Sequence, residues 1–245
     1  MLIGPQNSTL HVNYVRSRIR SAAIAAGRDP ESVTLVAVTK AQTAESVRQA
    51  ATAGVTDFGE NYLQEALAKQ ELLKDLNLTW HFIGGIQSNK TRAIAERFHW
   101  VQSVDRLSIA RRLSEQRPHH APPLNLCIQV KLVPEPNKGG VEPGQVGQLA
   151  AAAAELPKVR LRGLMSVPPP QANAAAERAV FARLRILLEE LNAGGRKLDT
   201  LSMGMSGDFE AAILEGATLV RIGTALFGPR AAWTSEPGGT QTGTT

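Results

Sequence analysis

The stretch "VTLVAVTKAQTAESVRQAATAGVTDFGEN", residues 33–61, contains the pattern that decides the fold. Residues 33–39 are apolar on both faces and rich in β-branched side chains, as expected of a strand buried in a parallel sheet. A helical pattern follows, and residues 56–61 form a second short strand pattern. A strand, a helix and another strand joined by short loops predict two parallel strands connected by a right-handed crossover.

The same unit recurs along the rest of the chain. Six further strand-like runs, separated by helical segments, are "TWHFIG" (79–84), "WVQSV" (100–104), "NLCIQV" (125–130), "LRGLMS" (161–166), "TLSMGM" (200–205) and "LVRIGT" (219–224). Eight strands in 245 residues predict an α/β protein with a single-domain (β/α)8 TIM barrel, since that fold typically has about 250 residues. An open doubly wound sheet is the alternative, but no glycine-rich dinucleotide loop follows the first strand.

The two ends of the chain lie outside this repeat. Residues 1–32 are mostly one helical pattern, which we expect to pack on the barrel as an N-terminal helix. The barrel itself is predicted over residues 33–230. Residues 231–245 are rich in Gly and Thr without periodicity and predict a disordered C-terminal tail.

Composition argues against several classes of function. The net charge is +5, but basic and acidic residues are interspersed and aromatics are only 4%, so specific nucleic-acid binding is not expected. The apolar runs are too short for a membrane span, and the N-terminus lacks the pattern of a secretory signal. The one cysteine, Cys127, cannot form an intramolecular disulfide. These features predict a cytoplasmic protein without membrane attachment.

Polar residues and glycines follow the predicted strands at their carboxyl ends, where the active sites of barrels lie. Lys40 follows the first strand, and Asn61 ends the second. After the seventh strand, Ser206 stands at the expected start of a helix whose N–H groups suit a phosphate. After the eighth, Gly223 and Thr224 offer backbone access and a hydroxyl. The sequence therefore predicts a phosphorylated ligand that faces Lys40.

The period-two rule of strands predicts which of these residues share a face. Ser202, Gly204 and Ser206 are expected on one small face of the seventh strand, and Arg221 with Gly223 on one face of the eighth.

A lysine amine in a partly desolvated site loses proton affinity and forms a Schiff base with carbonyl compounds. Combined with a phosphate site, Lys40 fits two classes of protein. One is an aldolase-type barrel that acts on phosphorylated sugars. The other is a pyridoxal 5′-phosphate (PLP) protein, in which Arg221 is placed to meet the pyridine nitrogen. The residues alone leave both classes open.

Each of these residues also has a plainer interpretation. Lys40 is then the solvated end of a strand, and Arg221 is a structural ion-pair partner. His81 is a hydrogen-bonded core histidine, Glu60 a solvated charge at a strand end, and Cys127 a small buried apolar residue. The functional interpretation is favoured because several weak signals converge on one rim of the barrel.

Seven motifs match a known family in the order in which that family has them. They are "LVAVTK", "FGENYLQEA", "WHFIGGIQSNK", "VQSVDR", "LRGLMSVP", "LSMGMSGDFEAAI" and "VRIGTALFG". The chain resembles the pyridoxal phosphate homeostasis protein family (the YggS/PROSC family), related to the N-terminal barrel of alanine racemase. The resemblance covers about residues 8–230 and implies a barrel of the PLP fold type III.

The resemblance also implies roles for individual residues. It implies that Lys40 holds PLP as a reversible Schiff base and that Arg221 faces the pyridine nitrogen. The other implied cofactor-binding positions are Asn61 at the rim, and Ser206, Gly223 and Thr224 at the phosphate. No metal is implied.

Two positions depart from the common pattern of this family. Gly85 stands where many relatives have proline, and Lys131 stands where asparagine is frequent. The departures leave open what loops 85–90 and 131–140, with Lys138, contribute, while the positions of the cofactor cradle are unaffected.

The function that the resemblance implies is cytoplasmic PLP (vitamin B6) homeostasis, in which the protein carries PLP without an established reaction. Related racemases take a catalytic tyrosine from a second domain, which we do not expect in this chain, and Tyr14 and Tyr62 are the only tyrosines of the sequence. The expected partners are PLP and either PLP-dependent apoenzymes or a regulatory protein, and a monomer is expected. The alternatives are a weak PLP-dependent racemase or related enzyme, and a PLP-sensitive regulatory binding partner.

Overall fold

Eight parallel strands form a closed barrel in which each strand pairs with its neighbours in chain order. The computed structural model describes residues 5–134 and 139–228, and within them the predicted (β/α)8 barrel is confirmed. The strands are β1 Thr34–Val38, β2 Asp57–Glu60, β3 Thr79–Phe82, β4 Trp100–Val104, β5 Leu124–Gln129, β6 Val159–Met165, β7 Thr200–Ser202 and β8 Leu219–Ile222. Each overlaps one of the eight strand-like runs of the sequence.

Helices connect the strands and cover the outside of the barrel. They are α1 Pro5–Ala25, α2 Ala44–Thr52, α3 Leu63–Leu72, α4 Thr91–Arg97, α5 Leu107–Gln116, α6 Pro143–Ala154, α7 Ala174–Ala193, α8 Phe209–Leu214 and α9 Thr224–Phe227. Among the described residues, no helix is both long enough and apolar enough to cross a membrane. The tail predicted at 231–245 and Lys138 lie outside the described residues.

The first helix, α1, packs against α2, α8 and α9 through one apolar face. Val15 and Ala23 on that face are fully buried, and Ile19 is nearly so. Beside the apolar contact, Arg18 donates two hydrogen bonds of 2.6 Å to the carboxylate of Glu210 on α8. The helix is thus attached to the last part of the barrel by burial and by one bidentate ion pair.

Strand register determines which residues share a level inside the barrel. Val36 of β1 pairs with Asp57 of β2 on one side and with Arg221 of β8 on the other. Lys40 lies beyond the carboxyl end of β1, in a turn. The register therefore places Arg221 within the barrel and Lys40 at its rim.

The predicted shared face of Ser202, Gly204 and Ser206 is wrong, because β7 ends at Ser202. Gly204 has a φ of +93°, which breaks the alternation of the strand. A side chain there is also excluded, since a Cβ on Gly204 would lie 2.9 Å from the Cα of Phe209. Helix α8 begins at Phe209 after Asp208, so Ser206 lies in a turn and does not cap the helix.

Candidate functional site

A cavity of about 290 Å³ at the carboxyl ends of the strands brings the predicted site residues together. Its lining includes all six of them: Lys40, Asn61, Ser206, Arg221, Gly223 and Thr224. A larger cavity, of about 440 Å³, is lined by α1 and by the segments that enter β1 and β2, including Arg16, Thr34 and Asp57. The smaller cavity is the candidate site, because it combines an amine, a guanidinium and the predicted cradle for a phosphate.

The turn that carries Lys40 is fixed through its backbone. The Gln42 N–H donates to the Thr39 carbonyl at 3.0 Å, which closes the turn around Lys40. Ala41 has a φ of +59°, a conformation that a residue with a side chain rarely adopts. Its N–H donates to Glu65 Oε2 of α3 at 2.9 Å, and this bond helps to hold the strained turn in place.

A buried charged cluster lies behind this turn. Glu60 is fully buried, and its Oε1 accepts from Lys69 Nζ at 2.7 Å and from the Thr39 hydroxyl at 2.6 Å. Lys69 Nζ also donates to the Thr39 carbonyl at 2.5 Å. Burial raises the pKa of Glu60, although Lys69 opposes the shift. We name Thr39, Glu60, Glu65 and Lys69 the Lys40-side cluster.

The interpretation of Glu60 as a solvated charge is therefore wrong. Lys69 extends from the last turn of α3 to the carboxylate of Glu60. The two residues are nine positions apart, one on a strand and one on a helix, and this spacing alone did not reveal the pair. The available signal was that Glu60 follows the apolar Phe58 by two positions on β2, so the two side chains share one face of the strand, and both are fully buried.

On β8, the strand next to β1 in the closed barrel, Arg221 lies almost completely buried, with 4% of its surface exposed. Its Nη1 donates to Ser202 Oγ at 2.6 Å and its Nη2 to the Ser166 carbonyl at 2.8 Å. Both acceptors are neutral, and burial lowers the pKa of Arg221 to about 10. Within the described residues, Arg221 therefore donates no hydrogen bond to a carboxylate, and the interpretation of Arg221 as a structural ion-pair partner is not supported.

Ser202 continues into a chain of buried polar side chains. Its hydroxyl donates to Gln102 Oε1 at 2.6 Å. Gln102 Nε2 lies 2.8 Å from His81 Nδ1, and His81 Nε2 lies 2.8 Å from Asp57 Oδ1. The interpretation of His81 as a hydrogen-bonded core histidine is confirmed, and we name Arg221, Ser202, Gln102, His81 and Asp57 the Arg221 chain.

The three residues predicted to contact a phosphate lie together, between the turn after β7 and the start of α9. Backbone N–H groups of Gly223 and Ala225 both point at Ser206 Oγ, at 3.3 and 3.2 Å. Thr224 is the first residue of α9, directly after Gly223. N–H groups and hydroxyls grouped in this way are suitable donors for the oxygens of a phosphate.

Asn61 contributes a buried acceptor to the rim of the cavity. Its Oδ1 is buried, and no group in the described residues bonds to it. The backbone here is tightly packed, since a Cβ on Gly84 would lie 2.0 Å from the Asn61 carbonyl oxygen. A buried acceptor of this kind costs stability unless a ligand or water satisfies it, so it fits a bound group that carries a donor.

The remaining sequence-predicted residues lie away from the cavity. Cys127 is fully buried, which confirms it as a small buried residue of the core, and burial raises the pKa of its thiol to about 12. Lys131 does not line the cavity, and within the described residues no cluster of His, Cys, Asp and Glu is suited to a metal.

The comparisons with known proteins agree with this geometry. Residues 11–231 match the family model described as alanine racemase, N-terminal domain. The chain is 64% identical over 220 residues to the pyridoxal phosphate homeostasis protein of Pseudomonas aeruginosa, covering 90% of this chain and 94% of that protein. It is 47% identical over 219 residues to the protein of the same name in Escherichia coli K12, covering 88% of this chain and 94% of that one.

A solved structure extends the comparison to the cofactor. PipY of Synechococcus elongatus PCC7942, solved with PLP bound, is 41% identical and superposes with a TM-score of 0.77, covering 87% of this chain and all of that one. The similarity of sequence and the shared barrel confirm the resemblance seen in the motifs. The chain therefore belongs to the family of pyridoxal phosphate homeostasis proteins, built on the barrel of the alanine racemase N-terminal domain.

Proposed function

We propose that this protein binds PLP in the carboxyl-end cavity and takes part in PLP homeostasis in the cytoplasm. The observation that supports it is one cavity lined by Lys40, the buried guanidinium of Arg221 and the cradle around Ser206. A relative that is 41% identical has been solved with PLP bound, and the relatives with the highest identity given above are named for PLP homeostasis. An aldolase acting on phosphorylated sugars has no such support.

The chain's own groups fit PLP in charge and hydrogen bonding. Bound PLP supplies an aldehyde that condenses with a lysine amine as a Schiff base. Lys40 is the lysine that lines the cavity, and Ser206, Gly223 and Thr224 offer donors to the phosphate. Arg221 can only donate hydrogen bonds, so the pyridine nitrogen that it binds is unprotonated and accepts.

A carrier fits the cavity better than an enzyme does. In the described residues, Lys40 and Arg221 are the only titratable side chains of the lining. A racemase needs a second acid or base on the other face of its substrate. Tyr62 follows Asn61 but its side chain is mostly exposed, and Tyr14 lies exposed on α1, so neither is packed for proton transfer.

The visible spectrum of the purified protein tests the binding of PLP. Wild-type protein mixed with PLP is expected to show a chromophore that borohydride reduces onto Lys40. Lys40→Ala is expected to lose this covalent product, whereas Lys74→Ala, an exposed lysine of a surface ion pair, keeps it. A borohydride-reducible product of equal yield in Lys40→Ala would show that the lysine is wrongly assigned.

Two alternatives and the partners need separate experiments. A weak racemase would bring solvent deuterium to the α-carbon of an amino acid in a Lys40-dependent way, and a carrier would not. A regulatory binding partner would be captured differently with and without PLP. We propose PLP-dependent apoenzymes as recipients and a monomer as the working state, which transfer assays and sedimentation test directly.

A further inference from the structure

The Arg221 chain has a direction that follows from the hydrogen-bonding capacity of its members. A guanidinium can only donate, so Ser202 Oγ accepts from Arg221 and its own hydrogen goes to Gln102. Gln102 must accept with Oε1, which turns its Nε2 donor towards His81 Nδ1. Each step therefore determines the next one.

The same reasoning determines the tautomer of His81. Because Nδ1 accepts from Gln102, the ring proton of neutral His81 lies on Nε2 and is donated to Asp57 Oδ1. The Asp57 carboxylate also accepts from the Thr56 hydroxyl at 2.7 Å. The His81 ring stacks on Trp100 with centroids 5.5 Å apart and 12° between planes, which restrains its rotation.

The chain joins a cation to an anion across the interior of the barrel. Ser202, Gln102 and His81 are fully buried, and they come from β7, β4 and β3. Asp57 on β2 retains 17% of its side-chain exposure and reaches the second cavity near α1. Each neutral group between the two charges donates its hydrogen bond in the direction of Asp57. Hydrogen bonds aligned in this way polarise one another, so that together they are stronger than the same bonds would be separately.

The hydrogen-bond chain determines how the Ser202 hydroxyl is oriented towards Arg221. With its hydrogen committed to Gln102, Ser202 Oγ can only present a lone pair to the guanidinium. The guanidinium is then fixed by Ser202 and by the Ser166 carbonyl, and Arg221 is at the same time part of the lining of the cavity. Without Gln102 the Ser202 hydroxyl is free to rotate, and the orientation of Arg221 is less restricted.

We propose that Gln102 and His81 are positioning residues that orient Arg221 towards the pyridine nitrogen of the cofactor, through a one-way hydrogen-bond chain that ends on Asp57. This inference rests on the proposed binding of PLP in the carboxyl-end cavity. Neither residue lines that cavity, so both act only through Arg221.

The first test needs no cofactor. In ¹⁵N NMR spectra of protein labelled at histidine, His81 is expected as the neutral tautomer protonated at Nε2. In Gln102→Leu the shift of Nδ1 is expected to change, because its donor is gone. A His81 protonated at Nδ1 in the wild type would overturn the chain, whether or not PLP binds.

The second test uses PLP with ¹⁵N in the ring. Gln102→Leu and His81→Leu are expected to raise the dissociation constant of PLP about tenfold and to shift the ring ¹⁵N signal, because the bond from Arg221 is misaligned. His81→Gln retains one acceptor and one donor and is expected to recover much of both. Val101→Ala is the matched control, since Val101 is fully buried beside Gln102 and outside the chain.

The outcomes separate this inference from the proposed function. If the wild type forms no Lys40-dependent product, the proposed function fails, and the tautomer of His81 still decides whether the chain exists. If both leucine variants bind PLP with the wild-type ring ¹⁵N signal and only their unfolding temperatures fall, as in Val101→Ala, the residues are structural and the proposal is overturned. The result that supports it is a shifted ring signal in the leucine variants and its recovery in His81→Gln.

Discussion

The polar residues behind Lys40 and those behind Arg221 satisfy their buried charges by different means. On the Lys40 side, charged residues of β2 and α3 hold the backbone of a strained turn, and a buried lysine directly contacts a buried carboxylate. On the Arg221 side, neutral groups on β7, β4 and β3 lead to a distant carboxylate. The difference teaches that the two residues are constrained in different ways: the backbone beside Lys40 is held in place, whereas the guanidinium of Arg221 is held in one orientation.

The largest effect is expected from breaking the ion pair of the Lys40-side cluster. Glu60→Ala leaves the buried Lys69 with only the partly exposed carboxylate of Glu65 at 3.6 Å, which costs about 3 kcal/mol of unfolding free energy. Urea denaturation measures the loss. Glu71→Ala, which removes an exposed partner of Lys74, is the control and is expected to leave the urea midpoint unchanged. A small effect of Glu60→Ala would mean that the two sides do not differ in this way.

The rim near Asn61 offers a test with two adjacent glycines. A Cβ on Gly84 would lie 2.0 Å from the Asn61 carbonyl oxygen, whereas a Cβ on Gly85 meets nothing within 4 Å. Gly84→Ala is expected to cost about 1–3 kcal/mol and to weaken PLP binding by displacing Asn61. Gly85→Ala is expected to bind PLP like the wild type. Equal behaviour of the two variants in a PLP titration would contradict the packing at this rim.

The buried His81 of the Arg221 chain is expected to make the stability of the fold depend on pH. Burial lowers the pKa of His81 below its ordinary 6.5, so below that pH the unfolded chain binds a proton that the folded chain does not. Unfolding free energy is therefore expected to fall with decreasing pH, by at most about 1.4 kcal/mol per pH unit from this residue.

The matched variants identify the residue responsible. His81→Gln is expected to flatten this slope between pH 6.5 and 5, while His119→Gln, in an exposed loop, is expected to retain it. Asp57 adds a second loss at lower pH: burial acts to raise its pKa, but the hydrogen bonds from His81 and Thr56 lower it overall. An unchanged slope in His81→Gln would remove His81 as the cause.

The smallest effect is expected in the cradle. Ser206→Ala removes the acceptor of two N–H groups of 3.2–3.3 Å, long bonds that contribute about 1 kcal/mol. We expect PLP affinity to fall about fivefold and the fold to persist, as judged by titration and circular dichroism. An unchanged affinity would exclude Ser206 from the phosphate site.

The convergence of the site residues could be predicted because it depends on topology. Parallel strands place all their carboxyl ends at one edge, so Lys40, Asn61 and Gly223 meet there wherever they stand in the chain. The two polar networks could not be predicted. Gln102 and His81 stand out as polar residues in buried strands, but nothing in the order of residues says that they bond to each other across the barrel.

The amino-acid sequence by itself determines the barrel, its eight strands and the residues at its rim, because periodicity and turn residues act over a few neighbouring positions. The tertiary structure decides how the buried charges are satisfied. Lys69 reaches Glu60, and Arg221 reaches Asp57 through three neutral groups, only once the sheet has closed. The physical reason is that a buried polar group is stable only with partners, and closure of the barrel selects those partners from distant parts of the chain.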